Sequence, residues 1–491
     1  MLQSPKRLTG MQDASPETVA VRDGVGGALC AYLSRYGYQP VDTPILEQTE
    51  LLLRKSGGEL ASRMYTFTDP GGHRVSLRPE FTSSVVRAYL EGLQQGPFPL
   101  RCSYLGPVFR YQGEGSPSGP PAADLKERED GADLRQFTQA GAEVIGVEGP
   151  WADAEVMALA VNGLSHVGLA GCQLVVGHQG FAGALLDSLG LSDRVRMFLM
   201  GNLWPLGRGA EGLEEVREKA SALGLLRQGA GEESLAPEAP GEAAAAILER
   251  YFQTTAASAI GVRTPQEIRE RFLRKQTMTQ DAERMEEALG LLSRVAQVRG
   301  KPATALRQVR SLVAAPAALA ELAALEETLE AMSHYGVKGQ VSLDFGLARG
   351  IAYYTGVVFE VRHASLGGVS LGGGGRYDGL LVALGGALPT PAMGFAWTVE
   401  RVVELLAKAG RERRFQRRDD LVLVRANDPA AQAKAVREAE GLRDQGLMVE
   451  VDLSNRSYEQ AVEYAQARGI RRISTVDGAG KVAYRDVPER Q

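Results

Sequence analysis

Leu347-Ala348-Arg349-Gly350-Ile351-Ala352-Tyr353-Tyr354-Thr355-Gly356 is followed downstream by Gly372-Gly373-Gly374-Gly375-Arg376-Tyr377-Asp378-Gly379. A fixed cation, Arg349, and then two adjacent tyrosines suit a small zwitterion with an aromatic or imidazole side chain. A glycine run lets the backbone approach a ligand closely, because no Cβ stands in the way. Adjacent tyrosines in a strand are otherwise ordinary core residues. The order and spacing of the surrounding motifs are therefore what distinguishes a site from a core.

Around these stretches, Gln340 to Phe345, Gly356 to Arg362 and Ala392 to Ala396 read as strands, and Thr398 to Ala409 as a helix. Upstream, Val19, Val21, Val25, Leu29, Leu33 and Tyr36 recur near helical spacing, which predicts a helix over 16–37 stopped by Gly37. Short β-rich runs follow: Gln39 to Pro44, then Arg63 to Thr68 and Arg74 to Leu77 flanking the turn Asp69-Pro70-Gly71-Gly72. Thr82 to Glu91 reads as a helix. Leu100 to Tyr111 and Asp133 to Glu143 read as strands joined by a long loop, and Ala152 to Val167 as a helix.

From Cys172 to Tyr335 the chain is rich in Ala, Leu, Glu and Arg, which predicts a mostly helical insertion. Gly229 to Pro240 interrupts it as a flexible loop. Residues 411–419 form a basic linker whose first eight residues hold five arginines, a solvated segment or a phosphate contact. Strand and helix patterns alternate over 420–491, as in a small α/β domain.

Bulk composition narrows the class. The 491 residues are 44% hydrophobic and 23% charged with net charge −5, as expected for a globular chain of two or three domains. That balance argues against a surface shaped throughout for nucleic acid. Three scattered cysteines cannot form a disulfide framework, and neither they nor the five histidines have metal-ligand spacing. No signal peptide or bilayer-spanning run is evident, so we expect a cytoplasmic protein with no membrane partner.

Together the two glycine-flanked signatures strongly resemble those of histidyl-tRNA synthetases and their paralogues. The resemblance extends over almost the whole chain. It implies an α+β class II synthetase-like core, an antiparallel sheet flanked by helices, over 1–171 and 336–410. The helical insertion over 172–335 interrupts that core, and an anticodon-binding-like α/β domain follows over 420–491. The helix ending at Gly37-Tyr38 and the segment Val41-Asp42-Thr43-Pro44-Ile45-Leu46-Glu47 resemble motif 1, which builds the family's dimer interface. A homodimer is the implied assembly.

Leu77-Arg78-Pro79-Glu80-Phe81-Thr82 resembles the family's Arg-Pro-Glu-Gly-Thr, with Phe81 in place of a small residue. The resemblance gives Glu80 the substrate α-ammonium. Val108-Phe109-Arg110 and Arg135-Gln136-Phe137-Thr138-Gln139-Ala140-Gly141-Ala142-Glu143 resemble motif 2. It implies that Gln139 also holds the ammonium, that Glu143 accepts from the imidazole, and that Arg110 meets the ATP α-phosphate. Gln139 and Glu143, four apart on a strand, share a face. Arg349 would stand between the substrate carboxylate and the α-phosphate, and Tyr353 and Tyr354 would line the imidazole site. Gly394-Phe395-Ala396 with Glu400-Arg401 resembles motif 3, in which Arg401 stacks on adenine. The implied histidine set is Glu80, Thr82, Gln139, Glu143, Arg349, Tyr353 and Tyr354. The implied ATP set is Arg110, Gln112 and Arg401, and Arg110, Arg349 and Arg401 are the catalytic residues if the chain is a ligase.

Four departures bear on activity. Ala352 replaces the aspartate usual before the tyrosine pair. Gln112 stands where the family has a glutamate for the adenine amino group. The loop Asp124 to Asp133 holds five acids against two bases, which repels tRNA phosphates. The C-terminal domain has no obvious basic face. The losses concern ATP and tRNA more than histidine. They resemble the paralogue that serves as regulatory subunit of ATP phosphoribosyltransferase, which binds free histidine as a feedback signal. That reading implies no cofactor, no metal and a catalytic phosphoribosyltransferase partner. The alternative is an active histidine–tRNA ligase using ATP with magnesium and charging tRNA.

Overall fold

The computed structural model describes residues 6–54, 63–93, 99–111, 134–226, 284–337, 340–348, 353–366, 370–415, 421–454 and 456–488. It divides into two units, Met1–Glu412 and Arg413–Gln491. Arg349, Ala352, Gln112, the acidic loop and the Gly229–Pro240 segment lie outside the described residues.

The first unit is built on a nine-stranded sheet. Its order is Gln39–Pro40, Leu100–Phe109, Gln136–Ile145, Ala392–Thr398, Ser370–Arg376, Val357–Arg362, Gln173–His178, Val341–Asp344 and Arg299–Gly300. The run from Leu100–Phe109 to Gln173–His178 is antiparallel throughout. Parallel pairings join Gln39–Pro40 and Val341–Asp344 to it at either side. The α+β arrangement of a sheet flanked by helices is the one the resemblance implies, with a central antiparallel run and parallel pairings at its two sides.

Helix Pro16–Ser34 starts on Ser15, whose Oγ accepts from the Thr18 N–H, and buries Val21, Val25, Leu29 and Leu33. It ends three residues before Gly37, and the chain leaves through Gly37 at φ 81°. Helix Pro150–His166 packs against strand Ala392–Thr398 on one side and helix Pro316–His334 on the other. Burial on both sides explains its nearly continuous apolar sequence. Gly163 leaves room there for the Trp397 ring, whose indole N–H donates to the Ala160 carbonyl at 2.8 Å.

Two features differ from the sequence reading. The glycine run, given no element in the sequence reading, is a buried strand, Ser370–Arg376, in the middle of the sheet. And the 172–335 segment opens with a core strand, Gln173–His178, paired on both sides. A short apolar run such as Leu174-Val175-Val176 is ambiguous between strand and buried helix until its neighbours are known. The helical part begins after it, with Gln179–Ser188, Asp193–Gly201, Leu203–Leu206, Ala210–Ala222 and 284–296. These helices close over their own core, which includes Leu199, Leu206, Val216, Leu289 and Leu292.

The C-terminal unit is a four-stranded sheet ordered Val449–Val451, Val422–Ala426, Arg472–Val476, Val482–Asp486. Strand alternation assigns its two faces. Val422 and Val424 pack with Ala435, Ala439 and Leu442 of helix Gln432–Asp444, whereas Leu423 packs with Ala461 and Ala465 of helix Tyr458–Arg468. A capping box between Ser457 and Gln460 starts the latter helix, and Gly469 at φ 69° ends it.

Candidate functional site

Register across the central strands places Cys102, Glu143, Gly394, Gly375 and Val358 in one row. Glycines in this row and the next clear space for large side chains lying on the sheet. A Cβ at Gly394 would collide with the Glu143 carboxylate, and one at Gly375 would stand 2.8 Å from the Tyr354 ring. A Cβ at Gly141, opposite Tyr104, would stand 2.6 Å from the Tyr104 ring. The glycine-rich strands thus form the floor of a polar, aromatic site.

Glu143 is completely buried at its centre. Its Oε1 accepts from Thr82 Oγ1 at 2.7 Å and from the Tyr104 hydroxyl at 3.1 Å, and its Oε2 accepts from the Tyr377 hydroxyl at 2.6 Å. Burial pushes its carboxyl up to about 7, and the nearby Glu80 charge adds to the rise, while the three hydroxyl donors oppose it. Burial also holds the Tyr104, Tyr353 and Tyr377 hydroxyls well above their ordinary range, with nearby Glu143 or Glu80 charge adding to it. Tyr104 and Tyr377 donate to Glu143 as neutral hydroxyls.

Glu80 lies one residue before the N-cap of helix Thr82–Leu90 and is 4% exposed. Both its oxygens accept from the Ser83 N–H, at 3.1 and 3.3 Å, where the helix dipole favours a negative group. Phe81 does not disturb this turn. Its ring stacks on Tyr104 with centroids 4.3 Å apart, and the Arg78 guanidinium covers it at 3.8 Å. The large residue buttresses Tyr104 instead of filling the site. Tyr353 packs edge-on against Tyr354 and Tyr377, at 4.9 and 5.8 Å.

A second polar layer supports the tyrosines. Arg376 pairs with Asp153 through Nε at 2.9 Å and with Asp378 at 3.0 Å. Asp378 in turn accepts from the Ala392 N–H, and its own N–H donates to Thr355 Oγ1 at 3.1 Å. Tyr377 sits between the two members of this network.

Glu80, Thr82, Glu143, Tyr353 and Tyr354 therefore meet in one place. Gln139 lies on the Glu143 strand; it is 6% exposed, and its Oε1 has no hydrogen-bond partner among the described residues. Arg110 follows the end of strand Leu100–Phe109, where its Nε donates to the Pro79 carbonyl at 2.9 Å beside the Glu80 turn. Arg401, 2% exposed on helix Val399–Lys408, pairs with Glu404 at 3.2 Å. The preceding Glu400 accepts the Thr138 N–H with both oxygens, tying this helix to the Gln139 strand. Two residues were missing from the sequence-derived set. Tyr377 was visible in the Gly-Arg-Tyr-Asp stretch. Tyr104 had no local signal, since only its register opposite Gly141 brings it to Glu143.

The whole chain also matches known proteins. The histidyl-tRNA synthetase family model matches residues 10–239 and 264–402. The chain belongs to the histidyl-tRNA synthetase family. Among members of this family, the histidine–tRNA ligase of Thermococcus kodakarensis is 30% identical over 487 residues, 98% of this chain and 94% of that protein. That of Pyrococcus abyssi is 30% identical over 488 residues, with the same coverage. A Bacillus halodurans structure described as an ATP phosphoribosyltransferase regulatory subunit/histidyl-tRNA synthetase superposes with a TM-score of 0.63 at 22% identity, covering 94% of this chain and 97% of that one. A Nostoc histidyl-tRNA synthetase structure gives 0.62 at 16% identity, covering 99% and 97%. These last two likenesses establish the shared histidyl-tRNA synthetase fold.

Proposed function

We propose that this histidyl-tRNA synthetase family member binds free histidine and uses it as a signal, as the regulatory subunit of an ATP phosphoribosyltransferase. The observation that carries histidine binding is the buried polar set around Glu143. Two carboxylates, three tyrosines and the Gln139 Oε1, without a partner among the described residues, are more polar groups than a packed core needs. An α-ammonium donating to Gln139 and Glu80, and an imidazole N–H donating to Glu143, would use them. The signalling role rests on Ala352, Gln112 and the acidic Asp124–Asp133 loop, which weaken ATP and tRNA contacts while leaving the histidine set complete. Histidine would shift assembly with a catalytic subunit only by binding the two assembly states unequally.

A ligase reading has its own support. Similarity to histidine–tRNA ligases spans 98% of the chain, including the C-terminal unit, and the sequence holds all three arginines that activation would need, Arg110, Arg349 and Arg401. In that case ATP with magnesium and tRNA are the further substrates. Histidine-dependent ATP–pyrophosphate exchange with the purified chain decides between the two. Sensing predicts no exchange alongside calorimetric histidine binding. Clear exchange overturns it in favour of the ligase.

The same reading includes a homodimer. On the small sheet of Leu46–Gln48, Arg74–Leu77 and Thr66–Thr68, Leu46 and Phe67 lie on one face and are 48% and 46% exposed, with Ile45 beside them at 42%. The opposite face buries Glu47 and Ser76. An apolar face of this kind is suited to burial against a second copy. Light scattering at micromolar concentration should give twice the chain mass, and a monomer would refute it.

A further inference from the structure

The carboxylate of Glu143 is solvated by its own protein to an unusual degree, yet entirely by neutral groups. A carboxylate offers about four acceptor sites. Three are taken by Thr82, Tyr104 and Tyr377, and the fourth lies on Oε2, the oxygen that rests over Gly394. Three hydroxyls orient and partly stabilise the charge, but they do not neutralise it. Every described element against Glu143 contributes either a neutral group or a further acid. The turn before helix Thr82–Leu90 contributes Glu80, strand Leu100–Phe109 contributes Cys102 and Tyr104, and the Tyr353 and Tyr377 segments contribute phenols.

A buried charge is tolerable when a hydrogen-bonded counter-charge meets it. Among the described residues no hydrogen bond or ion pair joins a cation to Glu143, and a cationic ring on the ligand would supply the counter-charge. The site is also suited to a cation in its walls. Tyr353, Tyr354 and Tyr377 pack edge-on as a cluster, and tyrosine faces attract cations. Two carboxylates, Glu80 and Glu143, then match two positive groups of one ligand, the α-ammonium and a protonated ring.

We propose that the site takes histidine as its imidazolium, so that above neutral pH each binding event draws one proton from the buffer into the ring–Glu143 pair. The inference rests on the histidine reading and specifies the ionic form that is selected. The balance is simple: free neutral imidazole plus one buffer proton gives imidazolium, whose N–H donates to the Glu143 carboxylate. No bond other than N–H is formed. The free ring has a pKa of about 6.5, and the buried carboxyl titrates near 7, so at pH about 8 both are largely deprotonated before binding.

The test is calorimetric titration of the full chain with L-histidine at pH about 8, in buffers of low and high ionisation enthalpy. The expected result is close to one proton taken up per site, with affinity falling roughly tenfold per pH unit above about 7.5. Glu143→Gln should lose most of that uptake, and the difference between the two proteins removes any contribution of the ligand's amino group. A triazole analogue of histidine, with the same ring shape and much weaker basicity, should bind at least roughly tenfold more weakly to the wild type. Histidine binding with buffer-independent heats and pH-independent affinity would overturn the proposal while leaving histidine recognition standing. No histidine binding at millimolar concentration would overturn both. The wild-type pH series decides the question by itself if the variant does not fold.

Discussion

Replacing Glu143 by glutamine isolates the energy of holding a charge beneath three tyrosines. Burial moves this carboxyl from an ordinary 4.5 to about 7. Each tenfold weakening of a group's acidity corresponds to about 1.36 kcal/mol, so ionised Glu143 opposes folding by about 3 kcal/mol relative to its protonated form. The sign follows from linkage. A folded-state pKa raised above the unfolded value means the folded chain binds more protons between the two values, so stability is lost as pH rises through that window. Glutamine does not titrate. The amide has its own pH-independent cost, because one of its N–H donors faces a site built for an acceptor. The informative quantity is therefore how the stability gap between Glu143→Gln and wild type changes with pH. Between pH about 5 and about 8 the gap should move by roughly 2–3 kcal/mol in favour of glutamine. Titrating groups remote from Glu143 cancel in the comparison. Urea unfolding without histidine, followed by a signal from the Met1–Glu412 unit, measures it. A gap that stays constant over this range would refute the burial of Glu143 without a counter-charge.

Removing the Tyr377 hydroxyl with Tyr377→Phe withdraws a 2.6 Å donor from a carboxylate, worth about 1.5–3 kcal/mol. Histidine affinity measured by calorimetry should fall by about tenfold or more, and Glu143 should titrate higher still; unchanged affinity would remove Tyr377 from the site. Gly394→Ala drives a methyl group into the Glu143 carboxylate. Overpacking of this kind costs about 1–3 kcal/mol, and a variant that melts lower but binds histidine as well as wild type would contradict the placement of Glu143. Asp153→Ala leaves Arg376 buried with Asp378 as its remaining carboxylate. Breaking a buried pair costs about 3 kcal/mol, so a melting temperature within a degree of wild type would show that the layer beneath the tyrosines is not held as described. In the C-terminal unit, Ser457→Ala removes the Oγ that accepts from the Gln460 N–H, leaving the backbone half of the capping box, and should cost about 1 kcal/mol, read as a lower unfolding midpoint for that unit.

Local signals carried much of the fold. The apolar spacing from Val19 to Tyr36 with Gly37 as its stop marks the first helix, Asp69 to Gly72 makes the turn between two short strands, and strand and helix patterns alternate through the C-terminal unit. Each rests on backbone conformation or periodicity within a few residues, which the sequence states directly. The motif residues Glu80, Thr82, Glu143, Tyr353 and Tyr354 were legible in another way, through the resemblance of their segments to histidyl-tRNA synthetase motifs.

What surrounds them was decided only by long-range pairing. Glu143 and Tyr377 are 234 positions apart and meet because Glu143, Gly394 and Gly375 share a row across three strands. Tyr104 joins them through its register with Gly141, and a one-residue slip would send its hydroxyl to the other face. The sequence presented Gly372 to Gly375 as room for a ligand, whereas the folded sheet uses Gly375 and Gly394 as room for Tyr354 and Glu143. A glycine states that a side chain is missing. Which neighbour occupies the space depends on strands that the chain brings together only when the whole sheet has formed.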